Sequence, residues 1–200
     1  MPPRRRRDSV DGPSRGSSTE SDESSASSRA EHPRVLARKI VLRRLDAAPR
    51  TRVELHEYLA DRDIPTDVIG EVLDRFEEVG LIDDALYARM WVRSRHEHRG
   101  HSRYVLRQDL RRKGVADQVI AESMETISDH EERDRARLLV ERKFASQARF
   151  EPAVQERRLV SMLARKGYPT GMCFAVVREA LSDQALELSD ALSDASANEG

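Results

Sequence analysis

The chain has 200 residues, 38% hydrophobic and 36% charged, with 35 Lys+Arg against 36 Asp+Glu and a formal net charge of −1. That length suits one domain or a run of small repeats; no apolar stretch approaches the ~18 residues of a membrane span, and Arg4 to Arg7 lack the apolar run of a secretory signal. Cys173 is the single cysteine and cannot form an internal disulfide, so a reducing, cytoplasmic setting is the default expectation.

Residues 1–33 hold only four apolar side chains, Met1, Val10, Ala26 and Ala30, among nine serines. Such a segment cannot bury enough apolar surface to offset its ordering entropy and is expected to be a disordered, solvated leader. From Arg34 to Leu181 the apolar residues recur at three and four, with only six glycines and four prolines, and an all-helical stretch follows. A leading helix is expected over 34–48. Thr51 with Glu54 fits a capping box opening a second helix, and Pro65 precedes a third. Gly80 ends that third helix, Asp83 is placed to cap a helix over 84–99, and Ser102 to cap the next, which ends at Gly114. Asp117 is placed as another N-cap, Ser128 with Glu131 forms a second capping box, and a helix over 129–148 follows. Beyond Pro152 a helix runs to Gly167, and Pro169 with Thr170 opens the next. Residues 182–200 carry five acids and no base; Leu181, Ala185, Leu188 and Leu192 keep helical spacing, so a short final helix is expected before a frayed acidic tail.

The chain repeats itself. Leu55, Leu59 and Ile64 match Leu106, Leu110 and Val115, then Leu159, Leu163 and Tyr168, so the anchors recur after 51 and then 53 residues. The following helix carries Val68, Ile69, Val72 and Leu73, then Val119, Ile120, Ser123 and Met124, then Met172, Cys173, Val176 and Val177. An i, i+1, i+4, i+5 stripe is one face of a helix. The expected fold is all-α: three tandem three-helix units, at 34–80, 81–128 and 129–181, forming an elongated curved rod with a core continuous across neighbours.

Catalytic constellations do not assemble. His96, His98 and His101 lack zinc-like spacing to cysteine or carboxylate, and i and i+2 point to different sides of a helix. Cys173 sits on a core stripe, where burial makes a thiol inert. No phosphate-cradling glycine loop and no nucleophile elbow occurs. Acid pairs such as Asp83-Asp84 fall at helix starts, where negative charge suits the macrodipole. Trp91 groups with Leu86, Tyr87 and Met90, a core face rather than a base-stacking platform. No enzyme, no cofactor and no metal are expected.

The near-neutral total is a sum of unlike parts. Residues 34–181 carry 29 − 25 = +4 and the tail −5, while Arg89 to Lys113 alone hold nine basic residues against Glu97 and Asp109. Arg103, Arg107 and Arg111 form a row flanking Leu106 and Leu110, and Arg89 and Arg93 border the preceding helix. With Arg99, Arg112 and Lys113 they make a candidate polyanion-binding surface, since guanidinium forks suit phosphate and carboxylate. In a chain with 31 arginines and four lysines, an ordinary solvated face is the competing reading. Two functions stay open on residues alone: a general helical-repeat nucleic-acid binder and a protein-interaction scaffold.

The stretches Gly80-Leu-Ile-Asp-Asp-Ala-Leu-Tyr-Ala88, Val92-Arg-Ser-Arg95, Arg99-Gly100 and Val105-Leu-Arg-Gln-Asp-Leu-Arg-Arg-Lys-Gly-Val115 occur in order with Leu159-Val-Ser-Met-Leu-Ala-Arg-Lys-Gly-Tyr168. Over roughly 34–181 this resembles the RecX family of recombination regulators. His101-Ser102-Arg103 departs from the Gly/Pro-containing turn of that family. The resemblance implies a non-enzymatic modulator of the RecA recombinase, acting in homologous recombination, DNA repair and the SOS response. Such a protein lies in the groove of the RecA–DNA filament and restrains filament growth, ATP hydrolysis and strand exchange. The partners expected are therefore the RecA nucleoprotein filament and the backbone of single- or double-stranded DNA, with no membrane and a monomer as default. The family supplies no catalytic residues, so the candidate surface rests on the charge rows alone.

Overall fold

Apolar residues spaced at three and four bring every regular element of the described residues into an α-helix. The structure is a computed structural model in which residues 20–147 and 149–197 are described. Its helices are α1 (Glu20–Ala47), α2 (Arg52–Ala60), α3 (Thr66–Glu78), α4 (Asp84–Arg99), α5 (Arg103–Arg112), α6 (Asp117–Met124), α7 (Asp129–Gln147), α8 (Pro152–Arg165) and α9 (Thr170–Ala197). They pack in threes, α1 with α2 and α3, α4 with α5 and α6, α7 with α8 and α9.

The helix starts follow the cap chemistry. Thr51 accepts from the Glu54 N–H while the Glu54 carboxylate accepts from the Thr51 N–H, each at 3.2 Å. Ser128 and Glu131 make the same reciprocal pair, and Asp83 and Ser102 accept from Leu86 and Val105. Two expected caps move. Asp117 and Thr170 lie inside the first turns of α6 and α9; Ala116 takes the N-cap place, and Asp117 instead meets Arg111.

The two ends differ from expectation. α1 starts at Glu20, inside the segment read as leader, and runs through Pro33. Ala37 and Val41 of α1 enter the first core. The rest of the expected leader, residues 1–19, lies outside the described residues. At the other end α9 is one helix through Ala197. No glycine or proline falls between Met172 and Ala197 to stop it.

The repeat anchors are core. Leu55, Leu59 and Ile64 join Val68, Ile69, Val72 and Leu73 in the first cluster. Leu106, Leu110, Val115, Ile120 and Met124 form the second with Val92, and Leu159, Leu163, Tyr168, Cys173, Val176 and Val177 the third with Val140. Ile82 closes the first core and Ile127 the second. The clusters are separate, where a continuous core was expected. Neighbouring units meet through helix ends and polar joints instead.

Both joints have one design. The backbone N–H of Arg52, first residue of α2, donates to Asp84 of α4 at 3.0 Å, and that of Arg103, first residue of α5, to Glu132 of α7 at 2.8 Å. Thr51 Oγ1 donates to the Lys113 carbonyl at 2.7 Å, and the Ser102 N–H to the Lys166 carbonyl at 3.1 Å. Gly114 and Gly167 make the fit close. A methyl group on Gly114 would strike Val53, and one on Gly167 would strike Val105 and come within 2.7 Å of Ser102 Oγ.

Candidate nucleic-acid interface

The basic residues of the central unit stand on α4, α5 and the turn closing α5, and the fold gives them different tasks. Arg89, Arg99 and Arg107 are exposed and make no ion pair among the described residues. Arg93 is exposed and meets Glu97 at 3.3 Å, four residues along the same helix. Arg111 pairs with Asp117 at 2.8 Å and Arg112 with Asp109. Such surface pairs are worth ~0–1 kcal/mol, so these cations remain open to a stronger anion.

Arg103 and Lys113 are structural. Arg103 Nε donates to Glu132 at 2.9 Å, Nη1 to the Ile127 carbonyl at 3.2 Å, and Nη2 to Asp129. Desolvation works to lower its pKa, but Glu132 and Asp129 overcome it and hold the guanidinium charged. The Glu132 side chain is only 4% exposed, so Arg103 is the counter-charge that lets a carboxylate sit in the joint. Lys113 Nζ donates to Glu54 at 2.6 Å and lies 4.6 Å from the centre of the Trp91 ring. Burial pulls its pKa down, and Glu54 and Tyr87 together more than restore it. The row Arg103–Arg107–Arg111 is thus a joint residue, an unpaired cation and a surface pair.

Trp91 is half-buried, stacked on Tyr87 with ring centres 5.8 Å apart, and covered from its other neighbours by Arg95 and Lys113. It packs against the second core. The histidines go separate ways. His96 is buried with Nδ1 3.0 Å from the His101 carbonyl oxygen, His98 is exposed, and His101 faces Asp109 at 3.9 Å. Desolvation first, and then the Lys166 charge, lower the His101 pKa. No group of three His, Cys, Asp or Glu among the described residues could hold a metal ion. Cys173 is fully buried, and burial pushes its thiol up. The turn at His101-Ser102-Arg103 is made without proline: Gly100 takes φ 60°, Ser102 caps α5, and Tyr168 reaches back to donate to the Gly100 carbonyl at 3.2 Å.

Beside α4, a groove of about 440 Å³ runs between the second and third units. Arg89, Arg93 and Arg135 line it together with Glu97, Glu131 and Asp134. Its charge is mixed, so Arg89 and Arg93 act beside acids there rather than as a pure anion cradle. No described helix is long and apolar enough to cross a membrane.

Comparison with known proteins agrees with this architecture. Family models described as the first, second and third three-helix domains of RecX match residues 37–76, 83–124 and 131–177. A "Regulatory protein RecX" of Thermobifida fusca is 44% identical over 152 residues, covering 76% of this chain and 82% of the relative. One of Streptomyces coelicolor is 44% identical over 173 residues, covering 84% and 92%. The crystal structure of RecX from Lactobacillus salivarius superposes with a TM-score of 0.67 at 21% identity over 75% of this chain and 97% of that one, which speaks for the fold. Three domain models in order, relatives at this identity along most of their length, and a matching three-unit helical fold place the chain in the RecX family.

Proposed function

We propose that this chain is a non-enzymatic regulator of the RecA recombinase that lies along the RecA–DNA filament and limits its growth, ATP hydrolysis and strand exchange. Family membership makes RecA the partner of first choice. The observation that carries the mode of binding is the series of three units held by polar joints, with Arg89, Arg99 and Arg107 presented unpaired on the middle one. A linear array can follow a groove across several subunits, and its exposed cations can meet DNA phosphate or acidic protein surface. Arg93, Arg111 and Arg112 add to that surface when they exchange their weak carboxylate partners. Arg103 and Lys113 keep the geometry.

The test is RecA ATPase activity on single-stranded DNA at low salt. Added protein is expected to lower the rate, and Arg89→Glu/Arg99→Glu/Arg107→Glu is expected to weaken that effect about ten-fold or more while helicity is unchanged, as loss of several charge contacts should. No effect of the unmodified chain at several-fold excess over RecA would sink the proposal. An affinity for naked DNA as high as for the filament would instead favour a general nucleic-acid binder.

A further inference from the structure

Outside the central unit, a group of cations without carboxylate partners also lies in the third. A cleft of about 430 Å³ opens between α7 and α8, lined by Lys143 and Gln147 of α7 and by Arg157, Arg158, Ser161 and Arg165 of α8, with Met162 and Leu159 along its floor. No carboxylate lines it. Lys143, Arg157, Arg158 and Arg165 are exposed and make no ion pair among the described residues. The nearest acid on α8, Glu156, is held by Arg178 at 3.1 Å. Arg158 lies 3.8 Å over the half-buried Phe150 ring, which fixes the guanidinium's plane at the cleft's rim.

We propose that this cleft is a second nucleic-acid site, in which Lys143, Arg157, Arg158 and Arg165 hold successive phosphates of one DNA strand. Arg157, Arg158, Ser161 and Arg165 follow one another at i, i+1, i+4 and i+8 on a single helix face. From 157 to 165 the helix rises ~12 Å, comparable to three to four phosphate steps at the ~3.4 Å axial spacing of one strand. The Ser161 hydroxyl and the Gln147 amide add neutral donors of the kind that fix phosphate oxygens. An acidic peptide would want apolar anchor pockets beside the charges, and here Leu159 is buried and Phe150 is covered by Arg158, which leaves the half-buried Met162. Like-charged side chains are costly to keep together with no carboxylate among them, and a polyanion removes that cost. The site shares the DNA partner of the proposed function but does not require RecA.

The experiment is fluorescence anisotropy of the full chain with a labelled oligothymidylate of about 30 nucleotides across a salt series. Arg157→Ala/Arg158→Ala/Arg165→Ala is expected to weaken binding about ten-fold or more and to flatten the slope of log affinity on log salt by ~2, the share of three phosphate contacts on a single strand. Because Arg158 also packs on Phe150, a second variant, Ser161→Asp, removes no cation and sets an acid in the cleft; it is expected to weaken binding likewise. Unchanged affinity and slope in both variants would overturn the site, as would absence of binding by the unmodified chain. Displacement of the strand by polyglutamate as effectively as by unlabelled oligothymidylate would also overturn it, in favour of an acidic protein. RecA ATPase measured on the same samples separates the two ideas. Restraint of ATPase without DNA binding removes the cleft and leaves the regulator, and DNA binding at the cleft without restraint does the reverse.

Discussion

Asp63, Gly114 and Gly167 hold one place in three successive units, each just before the last anchor of its second helix, and all three are left-handed, at φ 57°, 74° and 83°. The residue differs because the surroundings differ. Gly114 and Gly167 seat against the neighbouring unit, where a Cβ meets Val53 or Val105; Asp63 is exposed. Aspartate tolerates the left-handed region better than most residues, and at an open face it only has to bear that modest strain. Gly167→Ala is therefore expected to destabilise by about 2–4 kcal/mol, from left-handed strain plus overpacking at the joint. Asp63→Gly should stay within about 1 kcal/mol. Urea unfolding measures both, and equal costs at the two positions would contradict the joint. The glycines' punctuating role could be read from sequence; their second role could not, because Val53 and Val105 are 61 and 62 residues away from them.

Between elements the same problem of distance decides what sequence discloses. Helix starts at Thr51, Asp83, Ser102 and Ser128 could be read locally, since cap and partner lie three residues apart. Arg103 could not. Its acids, Asp129 and Glu132, sit 26 and 29 residues on, and from α5 alone it looks like one more member of a basic row. Arg103→Ala should cost about 2–3 kcal/mol, below the usual loss for a fully buried pair because Arg103 itself is 28% exposed. Arg107→Ala, with no such partner, should change stability by no more than about 0.5 kcal/mol. Thermal unfolding of the two variants tests this, and a matching pair of midpoints would return Arg103 to the surface row. The third-unit cations went unread for a related reason. Residues 142–166 carry seven bases against two acids, but they are spread over two helices and a loop, and only packing of α7 on α8 gathers four of them.

At the scale of the molecule, repeat number, helix order and core stripes were all legible, because each unit's pattern is local and recurs. Shared burial between units was wrongly expected. Each unit closes its own apolar cluster, leaving polar chemistry to join them. One of those joints is expected to weaken in acid. His101, at the α4–α5 turn, faces Asp109 but also Lys166, Arg95 and Arg99, and its pKa lies below the ordinary 6.5. The unfolded chain therefore takes up this proton first as pH falls, and stability present above pH 6.5 is lost as pH falls through the folded value. The thermal midpoint should drop between about pH 7.5 and about pH 5.5, and His101→Gln should flatten that drop. An identical drop in the variant would assign the effect elsewhere.

Separate cores have a mechanical consequence. To bend this molecule, none of the three apolar clusters has to open; what has to give is the seam where α2 and α5 meet Asp84 and Glu132 and where Val53 and Val105 seat on Gly114 and Gly167. Stiffness then resides in a few hydrogen-bonded, charged and close-packed contacts at the seams, while folding stability resides in three apolar interiors, so the two can be altered separately. A string of rigid beads on short polar pivots can match the curvature of a helical partner without any bead unfolding.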